Sequence, residues 1–271
     1  MAEVDELDEL ETLLVEHDGP VATVSLNRPS KRNAVNWAMW QELLATLRRL
    51  ATQEDLRVVV LTGTGGSFCS GADLSSSLPD IHPYLQLEEI NSVVETLHHL
   101  PKITIARVDG DAIGAGANLA FACDMAFASR PSRFSEIFVR RGMSIDCGGS
   151  WIIPRLIGLH KAMELCLTGS MITAQDAESL GLINGCAEQA DLDGVVSDCI
   201  GRLLEGAPMA QVLTKRLLQN GLLGTLSQAL EREAQAQVIN VGGQDLLEAN
   251  EAFVARRPAA YTGRWDSRRT T

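Results

Sequence analysis

Histidine, cysteine and aromatic residues are all scarce in this 271-residue chain, and each scarcity excludes some chemistry. The five histidines, His17, His82, His98, His99 and His160, show no HxxxH or HExxH spacing, so no metal site is expected. The six cysteines (Cys69, Cys123, Cys147, Cys166, Cys186, Cys199) include no CxxC pair and sit mostly among apolar neighbours, which reads as reduced core thiols. No GxSxG elbow marks a Ser-His-Asp hydrolase. No apolar run reaches the ~18 residues that a membrane-spanning helix needs, and the acidic N-terminus lacks the positive flank and apolar stretch of a secretion signal. The expectation is a cytoplasmic protein with no membrane partner.

Basic charge is also in short supply, at 23 Lys and Arg against 35 Asp and Glu. Six of those carboxylates (Glu3, Asp5, Glu6, Asp8, Glu9, Glu11) lie in the first eleven residues, and they account for half of the net charge of −12. Residues 1–14 are therefore expected to form an acidic, disordered tail. An acidic surface repels phosphate backbones, so no nucleic-acid partner is expected.

Core material is plentiful, at 45% hydrophobic residues. Val21 to Leu26 alternates as a strand does, and Trp40, Leu43, Leu44, Leu47 and Leu50 recur at helical spacing between Trp37 and Ala51. Val58 to Leu61 is apolar on both faces, as in a buried parallel strand. A second helix through Ile90, Val93, Val94 and Leu97 stops at Pro101, before a strand over Ile103 to Val108. A Gly-rich turn, Gly110 to Gly116, opens a helix running to Cys123, and another strand covers Met125 to Ala128. Thr173 with Asp176 forms a capping box for a helix ending at Gly181. Beyond about residue 190 only helices are expected, over Leu203 to Leu218, Leu226 to Ile239 and Leu246 to Ala255. The order predicts an α/β layer fold of residues 15–195 with a helical region over 196–271.

The glycine turns after the strands do not fit GxGxxG, because Phe68 and Leu119 stand where a third glycine belongs, and no Walker lysine follows. Their distinguishing property is that both present backbone N–H groups beside small side chains. The first is Ser70-Gly71-Ala72-Asp73-Leu74 and the second Gly114-Ala115-Gly116-Ala117-Asn118. Two such donors converging on one carbonyl oxygen make an oxyanion hole.

These motifs resemble the crotonase superfamily, also called the enoyl-CoA hydratase/isomerase family. The resemblance runs from about Val15 to Arg264. It rests on Leu26-Asn27-Arg28-Pro29 with Asn33-Ala34-Val35, on Phe68 to Leu74, on Gly110 to Gly116 with Leu119 to Asp124, and on Gly142 to Gly149 with Pro154 to Gly158. It implies a spiral of repeated ββα units and a helical C-terminal trimerisation region, giving a homotrimer or a dimer of trimers. It implies an acyl-CoA substrate, no separate cofactor, and a thioester oxygen held by the N–H groups of Ala72 and Ala115. Ser70, Ala72, Asp73 and Leu74 would line the coenzyme, with Arg28 and Arg32 reaching its phosphates. Ser75 to Leu87 would shape the acyl pocket.

The chain departs from the hydratase pattern at the two glutamates that hold and split water, since Asn118 and Phe138 occupy those positions. Neither transfers a proton as a carboxylate does. Glu136 lies two residues out of register, and on a strand it would share the face of Phe138. Asp146 resembles the single aspartate of family isomerases. One carboxylate suffices to move a proton along an allylic system, so double-bond isomerisation is favoured over hydration in fatty-acid or related catabolism. The other readings are an Asp146 that merely caps a helix beginning at Gly148 or Gly149, and a relative that binds acyl-CoA without turnover.

Overall fold

The computed structural model describes residues 10–77 and 79–264. Most of the acidic tail lies outside the described residues. Its expected end at residue 14 falls inside a strand, because Leu13 is buried and Thr12 is anchored to the Glu42 carboxylate by both its N–H and its hydroxyl. The first compact unit runs to Val196 and the second begins at Ser197.

In chain order the first unit contains β1 (Leu13–Asp18), β2 (Val21–Leu26), α1 (Trp37–Thr52), β3 (Val58–Gly63), α2 (Pro83–His98), β4 (Ile103–Val108), β5 (Ala112–Ile113) and α3 (Ala115–Ala122). It continues with β6 (Met125–Ser129), β7 (Arg133–Ser135), α4 (Gly149–Ile157), α5 (Leu159–Thr168), β8 (Met171–Thr173), α6 (Ala174–Leu180) and β9 (Gly185–Ala187). A strand, strand, helix order recurs, as the family resemblance implied. In the second repeat the second strand shrinks to isolated bridges at Cys69 and Ala72.

Six strands form one sheet in the order β1-β2-β3-β4-β6-β9. Only the β1–β2 hairpin is antiparallel, and it turns at Gly19. The interior strands pair in parallel, with Val58 opposite both Val21 and Ile103, and Ile105 opposite Met125. Val58 to Leu61 are all buried, which explains their unbroken apolar character. A small second sheet joins β5, β7 and β8. Strands of two or three residues carry no readable period, so β5, β7, β8 and β9 escaped the sequence patterns.

Helix α1 starts where Asn36 accepts the Met39 N–H at 3.0 Å, and it buries Trp40, Leu43, Leu47 and Leu50. Helix α3 differs in kind. All eight of its residues are buried, and six of them are Ala or Gly or the polar Asn118. It has no solvent face, so its chain can pass close to its neighbours on every side. Thr173 and Asp176 form the expected reciprocal cap of α6. Helix α7 (Leu192–Leu204) spans the division between the units. The second unit holds α8 (Pro208–Gly221), α9 (Leu226–Gly242) and α10 (Gln244–Ala255). Among the described residues no helix is long and apolar enough to cross a membrane.

Candidate active site

Adjacent parallel strands deliver their following turns side by side, and β3 and β4 do so here. After β3 the chain reaches Cys69, whose N–H donates to the Asp111 carbonyl at 3.0 Å and whose carbonyl accepts the Ile113 N–H at 2.9 Å. Three residues on, Val35 donates to the Gly71 carbonyl at 2.8 Å and accepts from the Asp73 N–H at 2.9 Å. In a parallel pairing of this kind the N–H of the intervening residue, Ala72, points away from Val35. Among the described residues it has no acceptor. Gly71 makes the turn possible: its φ is +96°, and a Cβ there would lie 2.9 Å from the Ile113 carbonyl oxygen.

The second turn follows β5. Gly114 donates to Ser135 at 2.7 Å, and α3 then begins at Ala115. The first helical hydrogen bond is Asn118 N–H to the Gly114 carbonyl at 3.0 Å, which leaves the Ala115 N–H unsatisfied in a buried position. Gly114 offers no side-chain cap. The two turns touch through Gly116, where an added Cβ would lie 2.5 Å from the Cys69 carbonyl oxygen. The structure thus joins two turns that stand 43 positions apart in sequence, each with a free main-chain donor.

Arg28 and Asp73, both expected along the coenzyme, bind each other. The Arg28 guanidinium reaches the Asp73 carboxylate at 2.9 Å and also donates to the Ala34 carbonyl. Asp73 accepts the N–H and hydroxyl of Ser75 as well, and these contacts with Arg28 hold its carboxyl down to a pKa of about 2. The pair ties the loop carrying Ala72 to the turn after β2. Ser70 donates to the Arg32 and Lys31 carbonyls, and Leu74 is exposed. Arg32 lines an open polar cleft of about 460 Å³ with Gly65, Ser67, Asp111 and Arg133.

Asn33 holds this framework together. Its side chain is fully buried at φ +55°, accepts the Arg28 N–H at 2.8 Å, and donates to the Thr64 and Ser67 carbonyls at 2.8 and 2.7 Å. Asparagine tolerates the left-handed region better than alanine does. Asn33→Ala is therefore expected to destabilise the protein by about 3 kcal/mol, from three lost hydrogen bonds. A urea unfolding midpoint indistinguishable from the parent would refute it.

Behind the turns lies a group of acidic and amide side chains. Asn118 donates its amide hydrogens to Glu136 Oε2 at 3.2 Å and to the Asp146 main-chain carbonyl at 3.0 Å. The strand that would put Glu136 and Phe138 on one face does not form, since β7 ends at Ser135. Glu136 follows β7 directly and precedes a tight 3-10 turn over Ile137–Arg141, so the two residues share no strand face. Phe138 instead faces Gly114, at 3.5 Å from the position of a Cβ built there. The helix-cap reading of Asp146 also fails: α4 starts at Gly149 with Gly148 at its cap position and no side-chain cap. Only the Asp146 main-chain carbonyl serves that helix, accepting the Gly149 N–H at 3.0 Å.

Three buried oxygens in this group have no hydrogen-bond partner among the described residues: Asn118 Oδ1, Glu136 Oε1 and Asp146 Oδ1. Burial raises both carboxyls above their ordinary range. Glu136 rises to about 8, by burial first, against the opposing Asn118 donor and with the help of the negative charge on Asp146. Asp146 rises by burial and is partly restrained by the Cys147 thiol. Cys147 itself has a positive φ of 49° and a thiol pushed well up by burial and by Asp146. The sequence leaves the part of Glu136 open, because its position depends on the 3-10 turn rather than on a strand.

Residues 16–264 match the enoyl-CoA hydratase/isomerase family. The chain is 34% identical to a probable enoyl-CoA hydratase of Rhodobacter capsulatus, over 93% of this chain and 98% of that protein. It is 31% identical to the 1,2-epoxyphenylacetyl-CoA isomerase of Escherichia coli, over 94% and 100%. A solved structure of a putative enoyl-CoA hydratase from Streptomyces coelicolor superposes with a TM-score of 0.90 at 33% identity, covering 97% of this chain and 98% of that one.

Proposed function

Since the chain belongs to the enoyl-CoA hydratase/isomerase family, the crotonase superfamily, we propose that it is an enzyme that shifts a carbon–carbon double bond in an enoyl-CoA thioester, with Asp146 as the proton carrier. One observation carries the reading. Asp146, whose main-chain carbonyl accepts the Asn118 amide of the second turn, holds a buried carboxyl oxygen that among the described residues neither a helix nor a cation occupies, while amide Asn118 and apolar Phe138 fill the positions of the hydratase carboxylates.

In this reading the thioester oxygen accepts the N–H groups of Ala72 and Ala115. Asp146 removes a proton from C2 of a 3-enoyl-CoA; the electron pair moves into a dienolate whose negative charge gathers on that oxygen. The resulting carboxylic acid returns the proton at C4, leaving the conjugated 2-enoyl thioester and restoring the carboxylate. Donors held in place by backbone pairing favour the charged intermediate over the neutral substrate. The raised Asp146 pKa brings base and carbon acid closer in strength. Arg32, Ser70 and Leu74 would line the coenzyme, which enters as part of the substrate. The chain would assemble as a homotrimer or dimer of trimers, in keeping with the exposed apolar side chains Leu226, Leu230, Phe253 and Val254 of the second unit.

Hydration is the second reading, and the placement of Glu136 near Asp146 supports it, because two carboxyls are what splitting a water molecule requires. One pair of assays separates the two. The absorbance of the conjugated thioester is followed with a 3-enoyl-CoA and, separately, with a 2-trans-enoyl-CoA. An isomerase creates the chromophore from the first; a hydratase destroys it in the second. Acyl-CoA binding without either signal would establish a non-catalytic relative and overturn the proposal.

A further inference from the structure

The mechanism above uses one carboxyl, yet the structure buries two. Glu136 is 1% exposed, and its surroundings hold no cation among the described residues. The groups that act on it are the Asn118 amide from α3, the Asp146 carboxyl in the loop before α4, and the Cys166 thiol on α5, which feels its charge; the Cys147 thiol beside Asp146 feels it too. Arg140, from its own 3-10 turn, donates to the Thr168 carbonyl at 2.8 Å. A carboxylate in such a place would have a single amide donor at 3.2 Å on one oxygen and nothing on the other. That is too little to stabilise a buried negative charge. As a neutral acid the same group needs no counter-ion and supplies the O–H donor that the oxygens of this cluster lack.

We propose that Glu136 stores the one proton shared by a two-carboxyl pair, so that the pair carries a single negative charge and that charge resides on Asp146. Burial decides which member holds the proton. Glu136 is almost wholly enclosed, Asp146 is half-buried, and only Asp146 has the Cys147 thiol as a donor. Asn118 ties the two together, donating to the Glu136 carboxyl and to the Asp146 main chain. An amide suits this post better than the carboxylate of a hydratase would, since a third acid would add negative charge to an acceptor-rich cluster. Glu136 is thus a positioning residue, acting on substrate only through Asp146.

The inference rests on the isomerase reading for its kinetic part and stands apart from it in its protonation part. Loss of the Glu136 proton, centred near a pH of about 8, places a second negative charge beside Asp146 and opposes the dienolate charge. The kcat of the isomerisation is therefore expected to fall on the alkaline side in the parent enzyme. In Glu136→Gln, which keeps the shape of the neutral acid and cannot ionise, that alkaline limb should be missing, while kcat at neutral pH falls less than ~10-fold, below the ~10² expected for loss of a catalytic acid or base. The second measurement needs no turnover. Between the ordinary glutamate pKa of 4.5 and about 8, the unfolded chain releases a proton that the folded one keeps, so stability is full below that window and declines as pH rises through it. The parent melting temperature should drop by several degrees across the window, and the Glu136→Gln protein should drop less. An infrared band of a protonated carboxyl at neutral pH, absent from Glu136→Gln, would support the same assignment.

An unchanged alkaline limb together with an unchanged slope of melting temperature in Glu136→Gln would overturn the proposal. So would a loss of kcat as large as that of Asp146→Asn at every pH, since Glu136 would then exchange protons with substrate itself. If the parent shows no isomerisation, the functional reading fails, and the melting and infrared comparisons still decide the proton.

Discussion

Asp146→Asn is expected to lower the kcat of double-bond isomerisation by ~10²–10⁴-fold with little change in KM. The substitution preserves the size of the side chain and its place beside Cys147, and it removes only the capacity to take up a proton from carbon. Because the Asp146 carboxyl caps no helix and pairs with no cation among the described residues, its replacement should leave folding intact. Melting temperature is expected to stay level or rise, since a half-buried charge that no described cation neutralises is removed. The two readouts together separate a chemical role from a structural one. Strong hydration of 2-trans-enoyl-CoA that survives the substitution would transfer the reaction to a different carboxyl and defeat the assignment.

Gly116→Ala is expected to cost ~10²–10³ in kcat, about the worth of one oxyanion donor. Alanine is the better helix former by about 1 kcal/mol, so local propensity alone predicts a stabilised α3. Tertiary contact reverses that sign. The new methyl would lie 2.5 Å from the Cys69 carbonyl oxygen and 2.6 Å from its Cβ. A backbone oxygen that already accepts the Ile113 N–H at 2.9 Å cannot rotate aside. The turns must separate, and the Ala115 N–H moves with α3 away from the Ala72 N–H. Overpacking of this kind typically destabilises by about 1–3 kcal/mol, which a thermal melt would read alongside kcat. A variant with parental kcat would show that the spacing of these two donors does not govern the reaction.

Much of this arrangement is legible along the chain. Val21 to Leu26 and Ile103 to Val108 appear as strands with the expected ends, and Thr173 opens a helix where its side chain demands it. Long periodic segments and caps are local signals. The family motifs are of the same kind, being short runs of glycine, alanine and charged residues at fixed spacing. The shortest strands were invisible because two or three residues hold no period, and β1 was partly assigned to the tail because its acidic neighbours dominated the composition.

Residue types and their order were enough to specify an α/β core, a family, and a pair of glycine turns able to offer free N–H groups. They also identified the missing hydratase carboxylates, since a substitution at a motif position is a local fact. Which groups face one another was decided only by the folded chain. Arg28 and Asp73, 45 positions apart, neutralise each other at 2.9 Å, because adjacent parallel strands bring their loops together. Glu136 joins Asp146 because a 3-10 turn, and not a strand, follows it. The protonation of both carboxyls depends on burial and on the sum of neighbouring charges, which are properties of packing in three dimensions and have no period along the sequence.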